Sequence, residues 1–307
     1  MATKILDLPE EEFMFPGNRA CAGCSVGIAF RHITKALEGK CIFTVPASCL
    51  TVLGGMYPTS SVSVPWMNTV FPSTAAAASG LAAGLKALGK GEITVVAMAG
   101  DGGTADIGLQ ALSGAAERNA NILYICYDNE AYMNTGTQRS GSTPRGAHTT
   151  TTPILGKQQN QKDMPAIMEA HGVPYIATGC PSYPTDLYDK VRHAREIEGT
   201  RYMHLCAPCP SGWQFPTKDT VTIGQLAVET GCVVLFEVDH GRFRLTGRSR
   251  RLAQSGRPLT PLSDYIERQG RFKGMPQEML DAQQEFVNTR WDRLCARDTS
   301  LTQKTAT

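Results

Sequence analysis

Short, nearly continuous apolar runs alternate with longer stretches of mixed polarity from the start of the chain to about residue 210. Residues 41–45, 93–99, 122–127, 175–178 and 202–206 read as strands. The run 93–99 (Ile-Thr-Val-Val-Ala-Met-Ala) is apolar on both faces, as a strand inside a parallel sheet is. Between these runs, 73–88, 107–118, 164–171 and 184–197 read as helices, and the Ala-rich 73–88 stops before Gly89-Lys90-Gly91. Strand–helix alternation at this spacing predicts an α/β fold with a doubly wound, mostly parallel sheet. Ligands of such sheets bind beyond the carboxyl ends of the strands. The rhythm breaks twice. Residues 129–161 are polar and rich in Gly, Thr and Pro, and a loop of that length in a compact domain is expected to be functional. Beyond about residue 215 the alternation fades, and 277–295 reads as a charged amphipathic helix. The expected organisation is an α/β domain over 1–215 and an extension over 216–307 that packs on it or on a partner. A solvated surface helix is the plainer alternative for the tail.

Composition narrows the class. The 307 residues carry 30 Lys+Arg against 28 Asp+Glu, with 42% hydrophobic and 19% charged residues, which excludes wholesale disorder. Balanced charge without a basic block argues against nucleic acid or an anionic membrane as the main partner. The longest apolar runs, 122–126 and 232–236, fall far short of the roughly 20 residues a spanning helix needs. The first twelve residues are acidic where a secretory signal would be basic and then apolar, so a cytoplasmic location is expected. In a reducing compartment the ten cysteines sort into metal ligands and small buried apolar residues. Cys126 and Cys232 are placed in strand cores, and Cys41, Cys180 and Cys295 have no visible partner.

The stretch Ala99-Gly-Asp-Gly-Gly-Thr-Ala-Asp106 follows the buried strand and precedes a helix. Its glycines let backbone approach a ligand, and the following helix offers free N–H groups to an anion. Alone, Gly-Asp-Gly also suits a plain tight turn. Residues 103–128 then separate it from Asn129, which ends the next strand in Tyr127-Asp-Asn-Glu-Ala-Tyr132. Adjacent parallel strands would bring Asp101 and Asn129 side by side. A carboxylate, an amide oxygen and a backbone carbonyl form a hard-oxygen half shell suited to Mg²⁺, completed by a ligand's phosphates. Elsewhere, Cys21-Ala-Gly-Cys24, Cys49 in Pro46-Ala-Ser-Cys-Leu50 and Cys209 in Ala207-Pro-Cys-Pro-Ser211 supply four thiols. Four thiolates hold either structural Zn²⁺ or a [4Fe–4S] cluster, and redox dithiol chemistry ranks behind both.

The Gly-Asp-Gly, 26-residue, Asn arrangement resembles the diphosphate-binding motif of thiamine-diphosphate enzymes. Taken with Cys21-Ala-Gly-Cys24, Cys49, Gly100–Gly108, Tyr127–Gly136 and Ala207–Trp213, in that order, residues 17–215 resemble the β subunit of 2-oxoacid:ferredoxin oxidoreductases. The resemblance implies the thiamine-diphosphate-binding fold of the diphosphate-binding type. It implies Mg²⁺ held by Asp101, Asn129 and the Ala131 carbonyl, with Gly100, Gly102, Gly103 and Thr104 lining the diphosphate. Asn134 and Thr135 would reach the cofactor's thiazolium side, Asn134 bonding substrate there. Cys21, Cys24, Cys49 and Cys209, rather than Cys206, would ligate a [4Fe–4S] cluster.

The implied activity is thiamine-dependent oxidative decarboxylation of a 2-oxoacid to an acyl-CoA and CO₂, with coenzyme A as co-substrate. Pyruvate is the default substrate, with branched-chain or aromatic acids such as phenylglyoxylate, and oxalate, as alternatives. The implied partners are an α chain supplying the activating Glu, γ and ferredoxin-like δ chains, and an external ferredoxin or other acceptor. Arg139 and Arg145 would meet a substrate carboxylate, a coenzyme A phosphate or another subunit's acids. His148 is the one histidine placed near substrate; His32, His171, His193, His204 and His240 read as surface or strand residues. Two other readings stand beside this one: a non-oxidative thiamine-dependent decarboxylase with a zinc site, and a metal-stabilised non-catalytic scaffold.

Overall fold

The computed structural model describes residues 3–302. Eight strands form one sheet: β1 (Cys41–Pro46), β2 (Trp66–Thr69), β3 (Thr94–Gly100), β4 (Leu123–Asp128), β5 (Tyr175–Gly179), β6 (Arg201–Cys206), β7 (Phe236–Asp239) and β8 (Arg242–Leu245). Their order is β2-β1-β3-β4-β6-β5-β7-β8. Every pairing among β1–β6 is parallel, and β7 and β8 add an antiparallel edge.

Alternation along the central strands supplies two cores. Val96, Met98, Leu123, Ile125 and Tyr127 face one layer, where they meet Phe30 and Ile33 of helix Ser25–Ala36 and Leu187 and Val191 of helix Pro184–Glu196. Val95, Ala97, Ala99, Tyr124 and Cys126 face the other, against Ala78 of Thr74–Ala87, Leu112 of Leu109–Glu117 and Met168 of Met164–Ala170. Helices therefore cover both faces, which is why β3 and β4 are buried along almost their whole length. A third cluster, around Trp213, Ile223, Leu235 and Tyr265, joins the residues beyond 215 to the ends of β5 and β6 through Cys180 and Cys206.

The strands and helices expected before residue 210, and the helix expected over 277–295, form within two residues of their predicted limits. Cys232 does not sit in a strand. It lies in a bend after Gly231, whose φ of 76° turns the chain, and Arg290 donates to the Gly231 and Cys232 carbonyls that a ladder would have used. The strand begins later, at Phe236. Among the described residues no helix is long and apolar enough to cross a membrane.

Candidate active site at the strand ends

Four neighbouring strands, β1, β3, β4 and β6, deliver the candidate residues. Cys49 stands three residues past β1, Asp101 one past β3, Asn129 one past β4 and Cys209 three past β6. Parallel register keeps these ends level, with Gly100 opposite Tyr127 and Asp128 opposite Cys206.

After β3 the chain enters a single π turn, Gly102–Asp106, closed by Ile107 N–H donating to the Gly102 carbonyl at 3.2 Å. Wide turns of this kind concentrate at functional sites. A Cβ at position 102 would lie 2.6 Å from the Tyr132 ring, so glycine is required there. Asp106 ties the turn to the long loop, accepting from Tyr132 Oη (3.0 Å), Gly141 N (2.8 Å) and Lys162 Nζ (2.8 Å).

The resulting pocket is lined by Ala47, Ser48, Cys49, Phe71, Gly100–Gly103, Tyr127, Asn129 and Ala131–Thr135. Asp101 is fully buried and is its one acidic lining residue. Burial, with the nearby Asp128 charge, pushes its carboxyl well above the usual range, and a hydrogen bond from Ser140 opposes this. Two neighbouring acids have cationic partners: Asp128 Oδ2 lies 2.8 Å from His204 Nε2, and Glu130 2.5 Å from the Arg271 guanidinium. Among the described residues Asp101 has none. The Asn129 amide places one terminal atom 3.0 Å from Asp101 Oδ1 and 3.0 Å from the Ala131 carbonyl oxygen. With NH₂ in that position it donates two hydrogen bonds; with oxygen there, three oxygens converge and need a cation. Adjacent oxygens of a Mg²⁺ octahedron, at about 2.0–2.1 Å from the ion, are about 2.9 Å apart. The donor set, its spacing and the unanswered buried charge all fit Mg²⁺.

Of the four thiols Cys49 lines this pocket, and Cys209, Cys24 and Cys21 lie near enough for their charges to act on it. Cys24 caps helix Ser25–Ala36, Cys49 opens Cys49–Gly54, and Cys209 caps Pro210–Trp213, so three of the four sit where N–H groups favour a thiolate. Ser25 Oγ donates to the Pro208 carbonyl (2.8 Å), joining two of these turns, and Leu50 N donates to Tyr127 Oη (3.3 Å). Burial raises the Cys49 thiol to about 12, reinforced by the charges of Cys209, Cys24 and Cys21. It raises Cys209 to about 11, opposed by the Gly212 N–H, which donates to Sγ at 3.4 Å. Cys24 is raised likewise and is opposed by the Gly27 and Val26 N–H groups. Four neighbouring thiols, two of them (Cys24 and Cys209) facing N–H donors, fit a cationic iron–sulfur core. Among the described residues, no three His, Cys, Asp or Glu side chains draw together as a single-ion site.

Other expected residues fall elsewhere. Thr104 is outside the pocket lining; its hydroxyl is buried against the Gly100 carbonyl (2.8 Å) and Tyr124 Oη (3.1 Å). Arg139, Arg145 and His148 do not line the pocket either; Arg145 faces a separate small cavity with Tyr265 and Arg290. His204 sits on β6 and joins Asp128 to Tyr202 Oη (2.8 Å). Burial alone would lower its pKa, and the neighbouring Cys126 and Asp128 raise it well above the usual value. Ser140, Asp106 and Arg271 were not singled out from the sequence, because a serine, an aspartate and an arginine in polar loops carry no distinctive spacing.

The family description "thiamine pyrophosphate enzyme, C-terminal TPP binding domain" matches residues 48–205. Pyruvate synthase subunit PorB of Methanothermobacter marburgensis is 49% identical over 288 residues, covering 92% of this chain and 98% of the relative. This chain is a β subunit of the 2-oxoacid:ferredoxin oxidoreductase family. The β subunit is also 44% identical to ketoisovalerate oxidoreductase subunit VorB of Pyrococcus horikoshii, covering 95% of each chain. Among solved structures, a 2-oxoglutarate:ferredoxin oxidoreductase from Magnetococcus marinus, with 2-oxoglutarate, coenzyme A and succinyl-CoA bound, shares the fold. Its TM-score is 0.57 at 19% identity, covering 73% of the β subunit and 84% of that chain.

Proposed function

We propose that the β subunit carries the diphosphate half of a thiamine-diphosphate site together with a [4Fe–4S] cluster. In this reading it acts in the oxidative decarboxylation of pyruvate or a branched-chain 2-oxoacid. The observation that carries the reading is that Cys49 lines the same pocket as Asp101, Asn129 and Ala131. A bound thiamine diphosphate supplies an electron sink for decarboxylation, and a four-thiolate cluster accepts single electrons.

The chain's own residues position and insulate those groups. Asp101, Asn129 and the Ala131 carbonyl would hold Mg²⁺. Gly100, Gly102 and Gly103 present backbone without side-chain bulk, and Asn134 and Thr135 stand at the pocket's outer lip. Cys21, Cys24, Cys49 and Cys209 would hold the cluster. Tyr127, buried against Gly100 with its hydroxyl accepting from Leu50 N–H, would help to exclude water from this side of the pocket. Four thiolates could hold Zn²⁺ as well; a cluster is the reading that supplies the electron acceptor an oxidative decarboxylation needs. Similarity to both pyruvate and ketoisovalerate enzymes supports a small or branched aliphatic acid. Coenzyme A would take the acyl group, an α chain would supply the activating Glu, and γ, δ and ferredoxin-type partners would complete electron transfer.

Anaerobic purification of the complex tests this directly. Bound thiamine diphosphate, iron near four per chain above that of any partner clusters, and bleaching of the visible band by pyruvate or 2-oxoisovalerate are expected. A colourless protein with stoichiometric zinc would refute it.

A further inference from the structure

We infer that Ser140 is a positioning residue that makes the Asp101 carboxylate a one-oxygen ligand and so biases the site toward Mg²⁺ over larger divalent ions. This rests on the reading that Asp101 and Asn129 hold the metal. The two carboxylate oxygens of Asp101 have different tasks. Oδ1 lies 3.0 Å from the Asn129 amide, on the side where the Ala131 carbonyl also points. Oδ2 accepts the Ser140 hydroxyl at 2.5 Å, and both residues are fully buried.

The serine is itself fixed. Ser142 N–H donates to Ser140 Oγ at 3.2 Å, which occupies an oxygen lone pair and leaves the O–H to point at Asp101. Ser140 N–H donates to Thr143 Oγ1 (2.9 Å), and Thr143 Oγ1 donates to the Glu130 carbonyl (2.6 Å), one residue from Asn129. Lys157 Nζ, on a buried side chain, donates to the Thr143 carbonyl (2.6 Å) and the Gly141 carbonyl (3.0 Å). The serine is thus held directly by Ser142 and Thr143, and Thr143 in turn by Glu130 and Lys157.

A carboxylate turns readily about its Cβ–Cγ bond. Left free, it can offer both oxygens to one ion. Ca²⁺ accepts such bidentate ligands among its 6–8 oxygens, whereas Mg²⁺ requires a near-ideal octahedron of single oxygens. By occupying Oδ2, Ser140 withholds the second oxygen and favours the smaller ion. Partners of this kind are typically worth 10- to 100-fold in metal affinity when removed.

The test uses the assembled complex, stripped by chelator and refilled with thiamine diphosphate while Mg²⁺ or Ca²⁺ is titrated, reading coenzyme retained after gel filtration. Wild type should retain coenzyme at lower Mg²⁺ than Ca²⁺. In Ser140→Ala the Mg²⁺ half-saturation should rise about tenfold, with Ca²⁺ affected less, so the ratio between them shrinks. Ser140→Cys, with a weak S–H donor, should shift in the same direction by less, and serves alone should the alanine variant not assemble. An unchanged Mg²⁺ requirement, or equal shifts for both ions, would overturn the inference and leave the metal site standing. Wild type that retains coenzyme with neither ion would overturn the metal site itself, and this role with it.

Discussion

The Asp101 carboxyl has no cationic partner among the described residues, whereas its neighbours Asp128 and Glu130 are paired with His204 and Arg271. A carboxyl held above its ordinary value of 3.8 binds a proton in the native state that the unfolded chain has already released. Its unfavourable contribution is absent below that value and grows as pH rises toward neutrality. The cofactor-stripped complex should therefore lose thermal stability as pH rises from 3.8, and Asp101→Asn should flatten that slope. Mg²⁺ with thiamine diphosphate should flatten it in wild type and not in the variant. An identical pH–Tm profile for both proteins without cofactor would contradict this account. The cysteines give a second residue-scale prediction. Cys24→Ser, Cys49→Ser and Cys209→Ser should each cost cluster iron and visible absorbance, whereas Cys206→Ser should keep both. Cys206 is only three residues from Cys209 but packs against Cys180 in the third cluster, and equal iron loss from Cys206→Ser would redraw the ligand set.

At the scale of elements, the residues beyond 215 do more than cover the sheet. Arg271, in the short turn Gly270–Phe272, stacks 4.0 Å from the Trp213 ring centroid and pairs with Glu130, while Trp213 Nε1 donates to the Asn129 carbonyl at 2.8 Å. Trp213, just before the tail, and Arg271, within it, thereby hold the residues on either side of the Asn129–Glu130 bond. Arg271→Met should leave the largely covered Glu130 without a counter-charge and cost about 3 kcal/mol, read as a fall in Tm. Adding Glu130→Gln should recover part of that loss; no recovery would mean that Arg271 acts through packing on Trp213 alone.

This clamp marks the limit of what the chain's pattern could reveal. The buried strands were legible because β3 and β4 are apolar on both faces, and the Asp101–Asn129 pair because parallel register converts a fixed spacing into adjacency. β2 was not, since Trp-Met-Asn-Thr at an exposed edge has no alternation to read. Nor were Ser140 and Arg271, whose places depend on contacts 39 and 141 residues away in sequence, to Asp101 and Glu130.

At the scale of the whole molecule, the proposed function makes this chain half of a reaction centre. The pocket's one acid is engaged by Ser140 and faces the proposed metal, and in the proposed function the carboxylate that activates thiamine comes from another chain. The isolated β subunit should show no turnover with pyruvate or 2-oxoisovalerate and a dye acceptor, and activity should appear when its partner chains are added. Turnover by the isolated chain would show that the acid lies on it after all.

Of the four thiols proposed as ligands, Cys24, Cys49 and Cys209 are partly covered while Cys21 is exposed. A cluster held by these four would have one corner at the protein surface. That corner offers the shortest exit for an electron and, equally, the easiest entry for dioxygen. How long the enzyme survives in air would then depend less on this chain than on whichever protein is docked over residue 21.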